Sequence, residues 1–581
     1  MRLQAIVPCP IFIFIFKIFL KKTKKVFIFL FLCVIMSFVV YCSMVKLKKN
    51  KNVTWKDGRK MINLQQTQTV TMIALAIFAV AMVIIGVYSV RKARTIDGFL
   101  LGSRNIGPWV SAFAYGTSYF SAVIFVGYAG QHGWNIGLGS IWIGIGNAVL
   151  GCLLAWLILA KRTRTMTHNL GVKTMPEFFE ARYRSTLFKI VAAIVIFIFL
   201  VPYSAAVYKG LGSMFTTIFP TVSVNVWMLV IAALTAVYLV LGGYVATAYT
   251  DFVQGIIMII GVVAMVIAVS MNPDVGGFGK LMENLRAIPD NGDGITGAQI
   301  TNMFGGSSWK FLCTNILLTS FGTWGLPQMV SKYYAIKDTK SIKTATVVST
   351  AFALIIGCGA YFIGSLSRLV LHNQLPDGGV DAVIPNTLLT ALGDPNLITT
   401  IILALILILL LSASMSTLSS VVLTSASAIS VDLIPTVKKN YNPKNQMIIT
   451  RTLCFLFVIL SYIFATMNIT IIVNIMSFSW GVVSGCFIGP YIWGIYSKKT
   501  TKAGAWAGML AGFLVVAVTT VILTMQAMGA DGIAFADAFK LASKKAPEMG
   551  VAAMAVSLVV VPVVSAFTKK MKKEELKEIF K

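Results

Sequence analysis

The run Ser412-Ala413-Ser414-Met415-Ser416-Thr417-Leu418-Ser419-Ser420, followed by Thr424, Ser425 and Ser427, gathers hydroxyls inside an otherwise apolar segment. Positions 412, 416 and 420 are four apart, and the pairs 416–419 and 417–420 are three apart, so a helix presents these hydroxyls on one face. Neutral oxygens in such a row suit a hard monovalent cation such as sodium, by analogy with the oxygen preference of other hard cations. A packing face of small residues between membrane helices is the competing reading. Two ionisable groups also sit at or within apolar stretches. Asp251, after Gly242-Gly243-Tyr-Val-Ala-Thr-Ala-Tyr-Thr250, reads either as an ion ligand or as the N-cap of the span it opens. Lys209, in Tyr203-Ser-Ala-Ala-Val-Tyr-Lys209-Gly210, either snorkels to an interface or meets a solute carboxylate or counter-ion.

The elements that must carry these groups follow from composition. The chain has 581 residues, 57% hydrophobic and only 12% charged, against about 25% charged in a soluble protein. Apolar runs of about 20 residues, each able to cross a ~30 Å hydrocarbon core as a helix, recur along it. From Met61 onward we place thirteen spans near 69–90, 107–130, 139–160, 187–211, 224–242, 251–270, 309–330, 345–371, 397–431, 447–467, 470–496, 503–524 and 549–567. The expected fold class is an all-α integral membrane protein.

Basic residues cluster between spans, as topology signals do. The groups are Arg91, Lys92, Arg94 and Arg104; Lys161, Arg162, Arg164 and Lys173; Lys332, Lys337, Lys340 and Lys343; Lys438, Lys439 and Lys444; Lys498, Lys499 and Lys502; and the tail Lys569, Lys570, Lys572 and Lys573. Each follows an odd-numbered span, which predicts that the core begins outside and that the C-terminus is cytoplasmic, in a cell membrane. Residues 1–60 break this scheme, with thirteen basic residues against one acid and an apolar run from Val26 to Val45. They read either as an extra span or uncleaved signal, or as an artefact upstream of a true start at Met61, which we favour.

Two spans are interrupted in corresponding places. The second contains Tyr115-Gly116-Thr117-Ser118-Tyr119-Phe120-Ser121, and the seventh contains Ser320-Phe-Gly322-Thr323-Trp324-Gly325-Leu-Pro327-Gln328. They are five spans apart and open two successive five-span blocks. Broken helices at matching positions of two halves point to a transport site at the midplane, because backbone that leaves the helix at membrane depth must line a cavity or be buried. Gly and Pro are also simply common in membrane helices.

At these residues the chain resembles the sodium/solute symporter family, which includes bacterial proline, pantothenate, sialic acid and sugar symporters. The resemblance runs from Met61 to Lys581 and is most specific at Tyr249-Thr250-Asp251-Phe-Val-Gln254 and Ala413-Ser-Met-Ser416-Thr417-Leu-Ser419. It implies a leucine-transporter-type fold with thirteen helices and two inverted five-helix repeats. The corresponding division is an extension (1–60), a first helix and loop (61–105), a first repeat (106–270), an extracellular loop (271–308), a second repeat (309–496) and two final helices with a basic tail (497–581). The resemblance further implies a main sodium site made of the carbonyls of Thr117, Phe120 and Ala413 and the hydroxyls of Ser416 and Thr417. A second sodium site, found in some members, corresponds to Asp251, Ser416, Ser419 and Ser420, so two sodium ions are expected. Candidate solute-pocket residues are Ser118, Tyr119, Ser121, Tyr203, Thr319, Thr323, Trp324 and Gln328, each with helix packing as its plainer role. Tyr119, Thr319 and Thr323 depart from the proline branch, and Thr323 departs from the sugar branch.

The implied function is sodium-coupled import of a small organic solute by alternating access: an amino acid such as proline or another carboxylate, with sialic acid or a sugar as the alternative. A membrane-embedded transferase is a remote alternative, because catalytic carboxylates or histidines do not cluster. The eight cysteines form no CxxC, and the three histidines (His132, His168, His372) are far apart, so neither a metal centre other than Na+ nor a cofactor is expected. Nucleic acid is not an expected partner, as the basic residues form no continuous face interleaved with aromatics. With about fourteen residues after the last span, a sensor output domain is not expected either.

Overall fold

Lipid cannot satisfy backbone N–H and C=O groups, so spanning segments close their hydrogen bonds internally as helices. A computed structural model describes residues 64–392, 397–437, 443–467 and 471–580. These residues are helical nearly throughout, with no β-strand among them. Residues 1–60 and the choice of start at Met61 lie outside them, as do Lys438 and Lys439. Ten described helical stretches are long and apolar enough to cross a membrane, against the thirteen expected. Two of them, Pro108–Asn169 with 62 residues and Val224–Ser270 with 47, exceed the roughly 20 residues of a single crossing. The expected seventh span is divided at Leu326 into two shorter helices.

In chain order the principal helices are α1 (Leu64–Ser89), α2 (Pro108–Tyr119), α3 (Gly130–Ile136), α4 (Ile141–Gly146), α5 (Met175–Tyr183), α6 (Thr186–Ile218), α7 (Val224–Ser270) and α8 (Trp309–Gly325). They continue as α9 (Pro327–Ala335), α10 (Thr339–Val370), α11 (Leu397–Ser427), α12 (Pro443–Thr466), α13 (Ile472–Tyr496), α14 (Lys502–Asp531), α15 (Ala546–Phe567) and α16 (Lys573–Ile579). Their starts follow local chemistry. Ser185 and Thr501 accept N–H groups of the first turns of α6 and α14, and Pro327 opens α9, where its missing N–H costs nothing. Asp338 caps α10 by accepting the Ser341 N–H at 2.7 Å, a bond that holds its carboxyl below the usual carboxylate range.

The core is a bundle in which α7 packs on α1, α2, α10, α11 and α12, while α13 packs against α6, α8, α14 and α15. Where α10 crosses α3 and α4, backbones meet directly. A Cβ on Gly133 would lie 2.1 Å from the Gly364 carbonyl carbon, and one on Gly144 would lie 2.6 Å from that of Gly357. The expected fifth and sixth spans follow one another within α7 as two helical segments separated at Gly243 (φ 53°, ψ −145°), a conformation a Cβ would strain. Helix therefore resumes about two turns before Asp251. That carboxylate sits in a helix interior and is not an N-cap, which corrects one of its two expected roles.

Two buried arginines fasten the ends. Arg182 on α5 donates to the carbonyls of Gly494 (2.8 Å) and Ser497 (2.7 Å) at the end of α13, and its guanidinium lies over the Phe580 ring at 5.2 Å. Arg368 at the end of α10 donates to Trp134 O at 2.8 Å and to Asp293 Oδ2 at 2.7 Å, so it ties down the long 271–308 connection.

Candidate functional site

The helical ladder of α2 stops at Phe120, whose N–H still reaches Gly116 O (3.1 Å) although its own backbone is extended (φ −103°, ψ 96°). The chain re-enters helix as a π-helical turn at Val123, whose N–H is accepted by Ser121 Oγ at 3.2 Å. The carbonyls just before the break are met by the hydroxyl face of α11. Ser416 Oγ donates to Thr117 O at 3.0 Å, and Thr417 Oγ1 lies 3.3 Å from both Thr117 O and Ser118 O. The same hydroxyls reach back to Ala413 O at 3.0 and 3.1 Å. Thr117, Ala413, Ser416 and Thr417, four of the five residues expected at the main cation site, therefore form one contact set, each fully buried. Phe120 marks the break, its ring stacked on that of Tyr119. An all-oxygen, uncharged set of this kind fits a hard monovalent cation, once the hydroxyl protons turn away and present lone pairs.

The residues of the expected second site are arranged differently. Ser416 is committed as above, and Ser419 Oγ donates to Ser416 O at 2.9 Å. Asp251 and Ser420 meet instead at Lys332 on α9: Nζ donates to Ser420 Oγ at 2.9 Å and lies 3.8 Å from Asp251 Oδ2. Lys332 had been grouped with the loop lysines that signal topology. Its side chain is only 1% exposed, which corrects that placement. Ser118 Oγ hydrogen-bonds Ser420 Oγ at 2.8 Å. Ser118 thus joins the two loci, its carbonyl facing Thr417 and its hydroxyl facing Ser420. A narrow cleft, whose lining includes Lys173, Thr174, Asp432, Ser331 and Tyr244, reaches Lys332 and Ser420.

The solute candidates separate into two groups. Tyr119 donates its hydroxyl to Thr319 O at 2.7 Å and its ring stacks on Trp480 (6.3 Å), while Tyr203 meets Trp480 edge-on at 5.8 Å. Trp480, on α13, fits because Gly322 has no side chain: a Cβ there would lie 2.8 Å from the indole ring. Gln328, in the first turn of α9, is buried with neither amide atom hydrogen-bonded among the described residues. Thr323 and Trp324 are tied to the backbone of a neighbouring helical stretch. They donate to Gly151 O (3.3 Å) and Leu150 O (3.1 Å), which pins α8 to the π-helical stretch Asn147–Leu154. Thr319 Oγ1 is held by Asn147 Oδ1 at 2.7 Å. Lys209, partly exposed on α6, lies near Asp381. Burial raises the Asp381 carboxyl above the usual range.

Lys332 and Trp480 escaped the sequence reading. The polar interruption Ser477-Phe-Ser479-Trp480-Gly481 in the eleventh span was the available signal for the tryptophan. For the lysine, it was a lone charge five residues past Pro327.

A family model described as the sodium:solute symporter family matches residues 99–512. The osmoregulated proline transporter OpuE of Bacillus subtilis (strain 168) is 27% identical over 445 residues, covering 76% of this chain and 86% of the relative. The high-affinity proline transporter PutP of the same organism is 27% identical over 436 residues, covering 74% and 88%. The sodium/proline symporter of Staphylococcus aureus (strain JH9) is 26% identical over 459 residues, covering 77% and 85%. Among solved structures, a Na+-coupled sialic acid symporter in a substrate-bound outward-open state superposes with a TM-score of 0.68 at 17% identity, covering 87% of this chain and 98% of that one. The likeness extends to the leucine-transporter-type fold.

Proposed function

From the premise that this chain belongs to the sodium:solute symporter family, we propose that it imports a small amino acid or related carboxylate, with proline the leading candidate, together with sodium. The chain is a multi-pass membrane transporter and not an enzyme. The observation that carries the coupling is the docking of the Ser416 and Thr417 hydroxyls on the Thr117 carbonyl at the break in α2. A sodium ion held there by Thr117, Phe120, Ala413, Ser416 and Thr417 fastens α2 to α11 and orders the neighbouring aromatic region around Tyr119, Tyr203 and Trp480. Sodium and solute then favour the same closed arrangement, and each can shift that equilibrium only by its differential affinity for the two states. With the core entering from outside and the C-terminus cytoplasmic, the membrane potential adds ≈ 2.3 kcal/mol per charge per 100 mV to the concentration gradient.

The three proline-transporting relatives support an amino-acid solute. The test is radiolabelled uptake into proteoliposomes with and without an inward sodium gradient, across proline, other amino acids, sialic acid and hexoses. Gradient-dependent proline uptake is expected. Uptake of a hexose or sialic acid alone would replace the solute assignment, and uptake indifferent to sodium for every solute would remove the coupling.

Trp480→Ala is expected to raise the KM for the solute by about tenfold or more, equivalent to ~1.4 kcal/mol of lost binding, while the sodium half-saturation stays within about twofold. Equal shifts in both quantities would mean that Trp480 serves the bundle and not the solute.

A further inference from the structure

We propose that the Lys332 ammonium is the resident cation of the Asp251–Ser420 locus, so that this chain binds one sodium ion where its oxygens would otherwise hold two. The inference rests on the sodium-symport reading above. Lys332 Nζ lies 2.9 Å from Ser420 Oγ and 3.8 Å from Asp251 Oδ2, and it faces the Tyr244 ring at 5.1 Å. These are the contacts a small cation would make there. Neither Asp251 oxygen accepts a hydrogen bond among the described residues, and the side chain is fully buried. A carboxylate so placed depends on a counter-charge.

The charge count allows one such counter-charge. Among the groups that meet Lys332 Nζ or Ser420 Oγ, Asp251 contributes the one negative charge, while Ser118, Ser420 and Tyr244 are neutral; Asp432 and Lys173, farther along the cleft lining, carry opposite charges. A sodium ion added beside the ammonium would face a like charge at close range, out of water's reach. Removing the ammonium leaves the Asp251 carboxylate and the hydroxyls of Ser118 and Ser420, with Ser420 on the lining of the cleft, so that waters entering by it can complete the oxygen shell of a sodium ion. The tether also has a mechanical side. Lys332 stands six residues past the extended Leu326 that separates α8 from α9. Its ion pair and hydrogen bond therefore link the second half of one broken helix, α9, to α7 and α11. Ser118 extends that link to the main cation site.

Equilibrium binding of radioactive sodium to the purified full-length protein in nanodiscs tests this without knowledge of the solute. The wild type is expected to bind one ion and Lys332→Met two, with Lys332→Met/Asp251→Asn returning to one. Lys332→Arg keeps the charge and is expected to bind one. Two ions bound by the wild type would overturn the proposal, as would one ion bound by a folded Lys332→Met. If Lys332→Met does not fold, Lys332→Gln takes its place, and the wild-type stoichiometry is decisive in either case. A wild type that binds no sodium sinks the symport reading itself, an outcome distinct from binding two.

Discussion

Replacing Ser416 and Thr417 together with alanine is expected to raise the sodium concentration for half-maximal uptake by about 10–100-fold, the range seen when groups supporting a bound metal are removed. Two of the five proposed oxygen ligands disappear. The carbonyls of Thr117 and Ser118 also lose the hydroxyls that meet them at 3.0 and 3.3 Å. A buried acceptor left without a partner costs about 1–3 kcal/mol, so the cation-free protein should melt earlier as well. Thr417→Ser keeps the oxygen and is expected to retain sodium-dependent transport. The measurements are uptake against sodium concentration and thermal melting with and without sodium. An unchanged half-saturation in the double variant would dismiss the break in α2 as the coupling site.

The second large effect concerns the seam between α3 and α10. Gly133→Val places a branched side chain where even a Cβ would lie 2.1 Å from the Gly364 carbonyl carbon and 2.4 Å from its oxygen. The obstacle is backbone, which cannot rotate aside. Overpacking costs about 1–3 kcal/mol where side chains can adjust, and this seam offers none. We expect an apparent melting temperature lower by about 5 °C or more, taking ≈ 2–4 °C per kcal/mol, with little folded protein recovered. A variant that melts with the wild type would show that the helices can part without cost.

Both broken helices were legible in the sequence. Gly-Thr-Ser and Gly-Leu-Pro in otherwise apolar stretches have few uses at membrane depth except to open the backbone, and the structure opens it at Phe120 and Leu326. The hydroxyl face of α11 was legible too, because the helical period places positions 416 and 420 above one another. The packing face and the proposed ligand face are one contact, since small residues are what allow Ser416 to come so near Thr117. Lys332 was not legible as a site residue. A charge soon after Pro327 looks like the start of a loop, and only tertiary packing reveals that α9 carries it inward to Asp251. The contacts of Thr323 and Trp324 were hidden for a related reason. The break sets which residues leave the ladder, whereas the rotation of α8 sets where they face, and that rotation is fixed by Asn147, Leu150 and Gly151 on a distant part of the chain.

The glycine seam has a mechanical consequence. Helices that glide past one another do so on a cushion of side chains whose rotamers yield, and small shear of this kind is a common way for packed helices to move. Between Gly133 and Gly364, and again between Gly144 and Gly357, the cushion is absent. Those helices meet backbone to backbone and are expected to move together. The alternating access proposed above is therefore expected to leave this pair undisturbed and to bend the chain at the two unwound joints, Phe120 and Leu326.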